Sequence, residues 1–373
     1  MNRTRTILSV IGGLALIVLI AAGARLWGSW NRPLGVELGL PTSTATLART
    51  SIPTATFRPG ITPSAASTST LAPAPLCGGP PVMTVLGIGV GYSADDYLYG
   101  LSDVMRIVRV DFVTPKITVL DLPRDLWVEI PDIAKHYGID HGKLNQAYFY
   151  GNPGMGYYEG PGAGPGLLAR TLQKNFGLAV DHYGAVNMLT FVKMVDAVGG
   201  IDVYLPEDVD GRPVDSHTAD MGYFYAGQQH LNGAAALRLA RIRKKYTVFK
   251  RSENQNIVLC ALKDKILTPA VLPRVPQIAQ SFFGSVQTDL SPAQISQMAC
   301  LLPKVSGENL IFASVPQELF KQSRVYDPYG KYTTFVWDVD RHVLQNYIDR
   351  FMAGEWPQPS SDGEATCPPP EKP

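Results

Sequence analysis

The sequence predicts an α/β fold, a β-sheet covered by helices, carried behind an N-terminal membrane-spanning helix. Three observations lead there. Short β-branched runs are interspersed with amphipathic helical patterns, the first 27 residues hold an apolar run without charge, and a Pro/Ser/Thr-rich stretch separates the two. The 373-residue chain is 45% hydrophobic with a formal charge of +1, so it can bury a sizeable core, and nothing global marks it for nucleic acid.

Taken in order, residues 1–6 form a short cytoplasmic tail with Arg3 and Arg5. Residues 7–24, ILSVIGGLALIVLIAAGA, are long enough to span a bilayer, which gives a transmembrane helix over 7–27 and places the remainder outside the cytoplasm. A cleaved signal peptide competes, because Ala22-Gly23-Ala24 resembles a cleavage site, although the run exceeds an ordinary signal core. Residues 28–80 are rich in Thr, Ser, Ala and Pro, and are expected to form an extended tether without a core. At ~3.1 Å per residue, about 50 such residues reach on the order of 150 Å.

In the globular part, 82–88 and 105–112 read as strands, and 116–122 as the second arm of a hairpin after Thr114-Pro115. The glycine-rich segment 151–166 is expected to be a mobile loop and lacks the Gly-Lys-Ser/Thr ending of a phosphate loop. Helices are predicted over 167–176, closed by Gly177, and over 188–198, closed by Gly199-Gly200. A strand follows at 201–206, then helices at 234–240 and 252–267. These elements make one domain over 81–270. Residues 271–356 read as an α/β extension with a helix at 291–305, strands at 309–315 and 332–338 and a helix at 343–352, before a Pro-rich tail at 357–373.

Cys77, Cys260, Cys300 and Cys367 are an even count without metal-ligand spacing, so two disulfides are favoured over zinc. Cys77 and Cys367 flank the globular region, whereas Cys260 and Cys300 sit in helical patterns. Of three connectivities, 77–367 with 260–300 is preferred. Six histidines show no HExxH or triad-like arrangement, which gives zinc hydrolysis and serine-type catalysis little support.

The charges are the anomaly. Asp103, Arg124 and Asp125 stand at the borders of apolar strands, where loops that carry function are held rigidly. Residues 238–251, RLARIRKKYTVFKR, hold seven cations and no acid. Such a run is either a solvated helix end or an anion site, since guanidinium forks match phosphate oxygens.

The ordered blocks SDVM, PRD, KLNQAY, VDAVGGIDV, LNGAAALRLARIR and FKRSENQ resemble the LytR-CpsA-Psr family of membrane-anchored cell-envelope proteins, over roughly residues 82–268. The resemblance implies a mixed central β-sheet flanked by helices (αβα) with an apolar pocket for a polyprenyl chain. It implies a phosphotransferase, aided by Mg²⁺, that moves a glycopolymer from a polyprenyl-pyrophosphate carrier to peptidoglycan. The partners implied are that lipid-linked glycan, peptidoglycan and the membrane, with no nucleic acid. By motif, Arg124, Arg243 and Arg251 correspond to pyrophosphate contacts, Asp125 follows the first of them, and Asp103 corresponds to a magnesium-binding aspartate. Arg241, Asn145 and Gln255 are further substrate-binding candidates, and helices near 167–176, 188–198 and 252–267 are expected to cover the lipid channel.

Two departures stand out. Where the family's first strand ends in a second metal carboxylate this chain has Gly91, with Asp95 or Asp96 as candidates to substitute, and Val248 replaces another acid. They leave open a non-catalytic lipid-binding sensor or scaffold.

Overall fold

The computed structural model describes residues 28–40, 73–91, 96–135, 138–243, 245–246, 248–357 and 365–367. The predicted spanning helix at 7–27 and most of the tether lie outside them. Among the described residues no helix is long and apolar enough to cross a membrane.

A seven-stranded mixed sheet organises the fold. Its strands are β1 (Val82–Val90), β2 (Ser102–Asp111), β3 (Lys116–Asp121), β4 (His182–Asn187), β5 (Gln287–Thr288), β6 (Leu310–Ser314) and β9 (Ala365–Thr366), while β7 (Lys321–Asp327) and β8 (Tyr332–Asp338) form a separate hairpin. The spatial order is β5-β4-β1-β2-β3-β6-β9. β1 runs antiparallel to β2 and parallel to β4, and β3 runs parallel to β6. The sheet therefore takes β5, β6 and β9 from beyond residue 271.

Strand alternation divides the core into two faces. Leu86, Ile88, Met105, Ile107 and Leu120 point to one face, under α1 (Leu144–Gly151), α2 (Ala163–Phe176) and α8 (Arg341–Ala353). On the other face lie Val85, Val110, Val119 and Phe312. It is roofed by α3 (Met188–Ala197), α4 (Gly233–Arg241), α5 (Val248–Ile266) and α7 (Pro292–Leu301), with α6 (Val275–Ser281) beyond α5 in the chain. Asn187 and Asn232 cap α3 and α4 by accepting from Thr190 N and Ala235 N, which fixes where each roof helix begins.

Three expectations change. The tether does not run freely from residue 28: Leu38 is 3% exposed in the core, Leu34 N donates to Leu290 O at 3.2 Å, and Tyr183 Oη donates to Val36 O at 3.1 Å. The short apolar stretch Val36-Glu37-Leu38-Gly39-Leu40 supplies what the Thr/Pro-rich run lacks, surface to bury. The disulfides are Cys77–Cys300 and Cys260–Cys367, with Cα separations of 5.9 and 5.5 Å, not 77–367 and 260–300. Cys300 on α7 faces the chain segment entering β1, and Cys260 on α5 faces the returning C-terminal strand β9, so each bridge ties a terminal segment to a roof helix. Third, the glycine-rich segment is shorter as a loop, because α2 begins at Ala163 with Gly162 at its N-cap.

Candidate functional site

The sheet's second face is hollow along its middle. β1 and β4 meet there with Gly87 paired to Gly184, and Gly89 follows one pleat on. A Cβ at Gly184 would touch nothing within 4 Å, so this glycine opens directly into space. The result is a cavity of about 750 Å³ between this glycine floor and α3, α4 and α5, within the size of small-molecule sites.

Its lining changes character along one helix. On α5, Arg251, Gln255, Val258, Leu262 and Ile266 share a stripe into the cavity, cationic at the N-terminal end and aliphatic beyond. From Arg251 to Ile266 the helix advances ~22 Å at 1.5 Å per residue. Phe191 and Met194 of α3 continue the apolar wall, as do Leu310 and Phe312 of β6. Helix α2, expected to cover the channel, packs on the opposite face instead, because its Leu167, Leu168 and Leu172 join the other core cluster.

Arg124, Arg243, Arg251 and Asp103 all line the polar end. Asp103 is the second residue of β2, and Arg124 follows β3 in a turn that α1 holds from below: Asn145 N donates to Arg124 O at 3.1 Å and Leu144 N to Leu126 O at 2.8 Å. Arg124 Nη1 donates to Asp103 Oδ1 in a short contact, and its Nε donates to Asp125 Oδ2 at 3.3 Å. Lys143 Nζ donates to Asp125 Oδ1 at 3.0 Å. Arg251 Nη2 donates to Asp103 O at 3.3 Å, while its buried Nε has no hydrogen-bond partner among the described residues.

The electrostatics are those of an anion site. Three arginines and Lys143 face two carboxylates, an excess of two positive charges. Burial lowers the affinity of Arg251 and Arg243 for their protons, and the neighbouring charge of Arg124 lowers it further, although both remain cations at neutral pH. For Arg124 burial acts the same way but is outweighed by Asp103 and Asp125, so its pKa is raised. Burial would raise the Asp125 pKa, yet Arg124 and Lys143 pull it below the usual carboxylate range. An ionised carboxylate held by two cations is a poor general base, and its contact with Arg124 Nε holds that guanidinium in place.

Of the other sequence candidates, Arg241 lines the same cavity at its exposed rim. Gln255 lines it with its amide engaged, accepting from Arg106 Nη2 at 3.2 Å and donating to Ala240 O at 3.2 Å. Asn145 does not reach the cavity: it is 3% exposed and acts through its backbone on the Arg124 turn. Asp96 does not line the cavity and accepts from Leu98 N, and Asp95 lies outside the described residues.

Sequence reasoning missed Arg106 and Lys143. Arg106, 4% exposed, stands in the cavity wall and binds Gln255 and the Ser252 carbonyl, both on the first turns of α5. Its signal was a charge at an inward position of an alternating strand, MRIVRVDF.

Of the two carboxylates at the arginines, Asp125 has both oxygens engaged by Arg124 and Lys143, which leaves Asp103 for a divalent ion. No three His, Cys, Asp or Glu side chains gather as a metal site among the described residues. Gly91 stands against Asp103, and a Cβ there would collide with the Asp103 carboxylate, so a second acid at 91 would be its direct neighbour. Mg²⁺ is commonly held by one or two carboxylates plus substrate phosphates, so Asp103 Oδ2 with a diphosphate fits the one-carboxylate form.

A second hollow of about 320 Å³ shares Arg124, Arg243 and Arg251 with the first. Its far wall comes from Tyr246, Gln317, Gln322, Phe335 and Trp337. Trp337 N donates to Asp125 O at 3.0 Å, which pins the β7–β8 hairpin to the arginine turn.

The sequence profile of the LytR_cpsA_psr family matches residues 82–346. Among curated proteins, the chain is 28% identical over 198 residues to the regulatory protein MsrR of Staphylococcus aureus (strain COL), covering 52% of this chain and 53% of that one. It is 29% identical over 209 residues to the polyisoprenyl-teichoic acid–peptidoglycan teichoic acid transferase TagV of Bacillus subtilis (strain 168), covering 56% of this chain and 49% of TagV. The chain thus spans about half the length of these relatives. The crystal structure of B. subtilis TagV superposes with a TM-score of 0.52 at 24% identity, over 72% of this chain and 97% of that one, a likeness of fold.

Proposed function

The chain belongs to the LytR_cpsA_psr family, and from that premise we propose that it is a phosphotransferase moving a glycopolymer from a polyprenyl-pyrophosphate carrier to peptidoglycan. One observation carries this: a cavity whose long wall is aliphatic ends in three arginines and a carboxylate. An isoprenoid tail matches the wall, and a diphosphate matches the excess positive charge at its end. That a relative is named a polyisoprenyl-teichoic acid transferase supports the same chemistry.

In this reaction an acceptor hydroxyl oxygen attacks the phosphorus that carries the glycan. The bond from that phosphorus to the bridging oxygen breaks, and polyprenyl monophosphate departs with the electron pair. Arg124, Arg243 and Arg251 fix the diphosphate and compensate the charge that develops on its oxygens, the dominant protein contribution to phosphoryl transfer. The hydroxyl proton passes to the departing phosphate, whose second ionisation near pH ~6 makes it a better acceptor than Asp125, held ionised by two cations. Mg²⁺, held by Asp103 and the substrate phosphates, would add Lewis-acid charge neutralisation.

We place the domain outside the cell membrane on a single N-terminal span, a reading the two disulfides favour because they persist in oxidising compartments. Gly91 beside Asp103 favours a second reading, a lipid-binding sensor without transfer. The test is transfer from a lipid-pyrophosphate donor to peptidoglycan oligosaccharide. Arg124→Ala and Arg243→Ala should each lower the rate about 100-fold or more while the fold persists; unchanged rates in both would refute the assignment. Bound lipid without transfer in the unaltered protein selects the sensor.

A further inference from the structure

The docked strap at 34–40 fixes how far the domain can stand from the membrane. Leu34 N donates to Leu290 O at 3.2 Å, Tyr183 Oη donates to Val36 O at 3.1 Å, and Arg170 Nη2 donates to Gly39 O at 2.9 Å. Leu38 fills the core, and a Cβ at Gly35 would stand 2.6 Å from Thr288 O, so glycine lets the strap lie this close to β5. From residue 27, the end of the span as read from the sequence, to residue 34 the chain reaches about 25 Å at most when fully extended. The path is shorter than that, because residues 28–30 are helical and Arg32 N donates to Ser29 O at 3.3 Å. Residues 41–72 leave this domain and return to it, so their length adds nothing to its distance from the membrane.

We propose that the β5 edge of the sheet, with the strap laid along it, is a membrane-docking face that seats the domain directly on the phospholipid surface. The proposal rests on the reading of 7–27 as a span for the short leash, and on the edge's own side chains for the contact.

The edge carries the side chains such a contact needs. Trp30, Leu34 and Val36 are exposed on the strap, and Phe283 is 56% exposed just before β5. Tyr97 Oη donates to Ser285 O at 2.7 Å and to Ala185 O at 3.0 Å, which brings the exposed Leu98 and Tyr99 to the same edge. Large apolar side chains gathered on one edge mark a surface that gains by leaving water, and Trp and Tyr suit the headgroup depth of a bilayer.

The position of the edge favours the same occupant. β5 is the terminal strand of the sheet and pairs with β4, whose Gly184 and Val186 line the cavity. Thr190 Oγ1 of α3 donates to Ser285 O at 3.2 Å, so the edge also adjoins the helix that supplies Phe191 and Met194 to the cavity wall. A lipid tail that leaves the bilayer here enters the apolar cavity with little passage through water. The leash brings the bilayer to this edge whether or not a second copy of the chain is present.

The experiment uses the full chain in phosphatidylcholine–phosphatidylglycerol vesicles. The four native cysteines are all paired, so a nitroxide label goes to a single added thiol. Phe283→Cys places it on the proposed face, and Glu308→Cys places it beside β6, toward the opposite edge. Oxygen concentrates in the bilayer and a nickel chelate stays in water, so the oxygen-to-nickel accessibility ratio should be at least about tenfold higher at 283 than at 308. Equal ratios overturn the proposal, and so does a label at 283 that is shielded from both reagents and dipolar-broadened, the mark of a second copy. Leu34→Asp with Val36→Asp, both at exposed positions, should bring the ratio at 283 down to the value at 308 with the urea midpoint kept; an unchanged ratio overturns it. Alkaline carbonate extraction tests the span separately. If it strips the unaltered chain from the vesicles, the span reading fails alone. A high ratio at 283 on the chain bound before extraction then still supports the face, and a low one overturns it.

Discussion

Filling the cavity from its floor tests the lipid site without touching a charge. Gly184 sits mid-strand in β4, opposite Gly87, and its missing side chain would meet nothing within 4 Å. Gly184→Leu projects four carbons into the cavity of about 750 Å³ and displaces a comparable length of an apolar ligand. At about 0.8 kcal/mol per buried CH₂ the loss is roughly 3 kcal/mol, and at 1.4 kcal/mol per decade it weakens binding on the order of 100-fold. Replacing a glycine in a strand interior lowers the entropy cost of folding, so the variant should unfold at the same urea concentration or a higher one. The assay is polyprenyl phosphate affinity in detergent, together with the lipid retained on purification, measured by mass spectrometry. A folded variant with undiminished affinity would refute the placement of the tail on this floor.

Three further outcomes are expected. Gly91→Asp puts a second carboxylate against Asp103, so Mg²⁺ affinity, measured by titration calorimetry with a diphosphate analogue, should rise at least about tenfold; no change would mean that Asp103 does not hold the ion. Asp125 has a folded pKa below its unfolded value, so its stabilisation is complete above about pH 4 and is lost as pH falls through the lower folded value. Chemical denaturation from pH 7 to 2 should show a steeper acid loss for the unaltered protein than for Asp125→Asn. Cys260–Cys367 spans 107 residues, so Cys260→Ser with Cys367→Ser should cost about 3–5 kcal/mol in urea unfolding; a cost near zero would mean that the tail contributes nothing to holding α5.

Much of the fold was legible because it is written in short-range periodicity. The β1–β3 meander, α3 and β8 appear within a residue or a few of the predicted bounds, since alternating and 3.6-residue patterns survive without knowledge of partners. Strand β4 was illegible: its HYGAVN carries a glycine that weakens strand propensity, and that glycine is what opens the cavity. Helix α1 escaped because it is short and buried nearly all round, leaving no polar face to read.

By itself the sequence determined the chemistry available, arginines and acids at strand borders with aliphatic helices behind them. Only the tertiary structure decided which of these meet. Roof helices α3 to α5 cover the glycine floor while α2 lies on the other side of the sheet. Residues 34–40 dock, the cysteines pair across chain ends, and a hairpin that begins at Lys321, far beyond Arg243 in the chain, brings Trp337 and Gln322 to the arginines. Local patterns are set by neighbours a few residues away, whereas these encounters depend on how distant segments close upon one sheet, which no single stretch encodes.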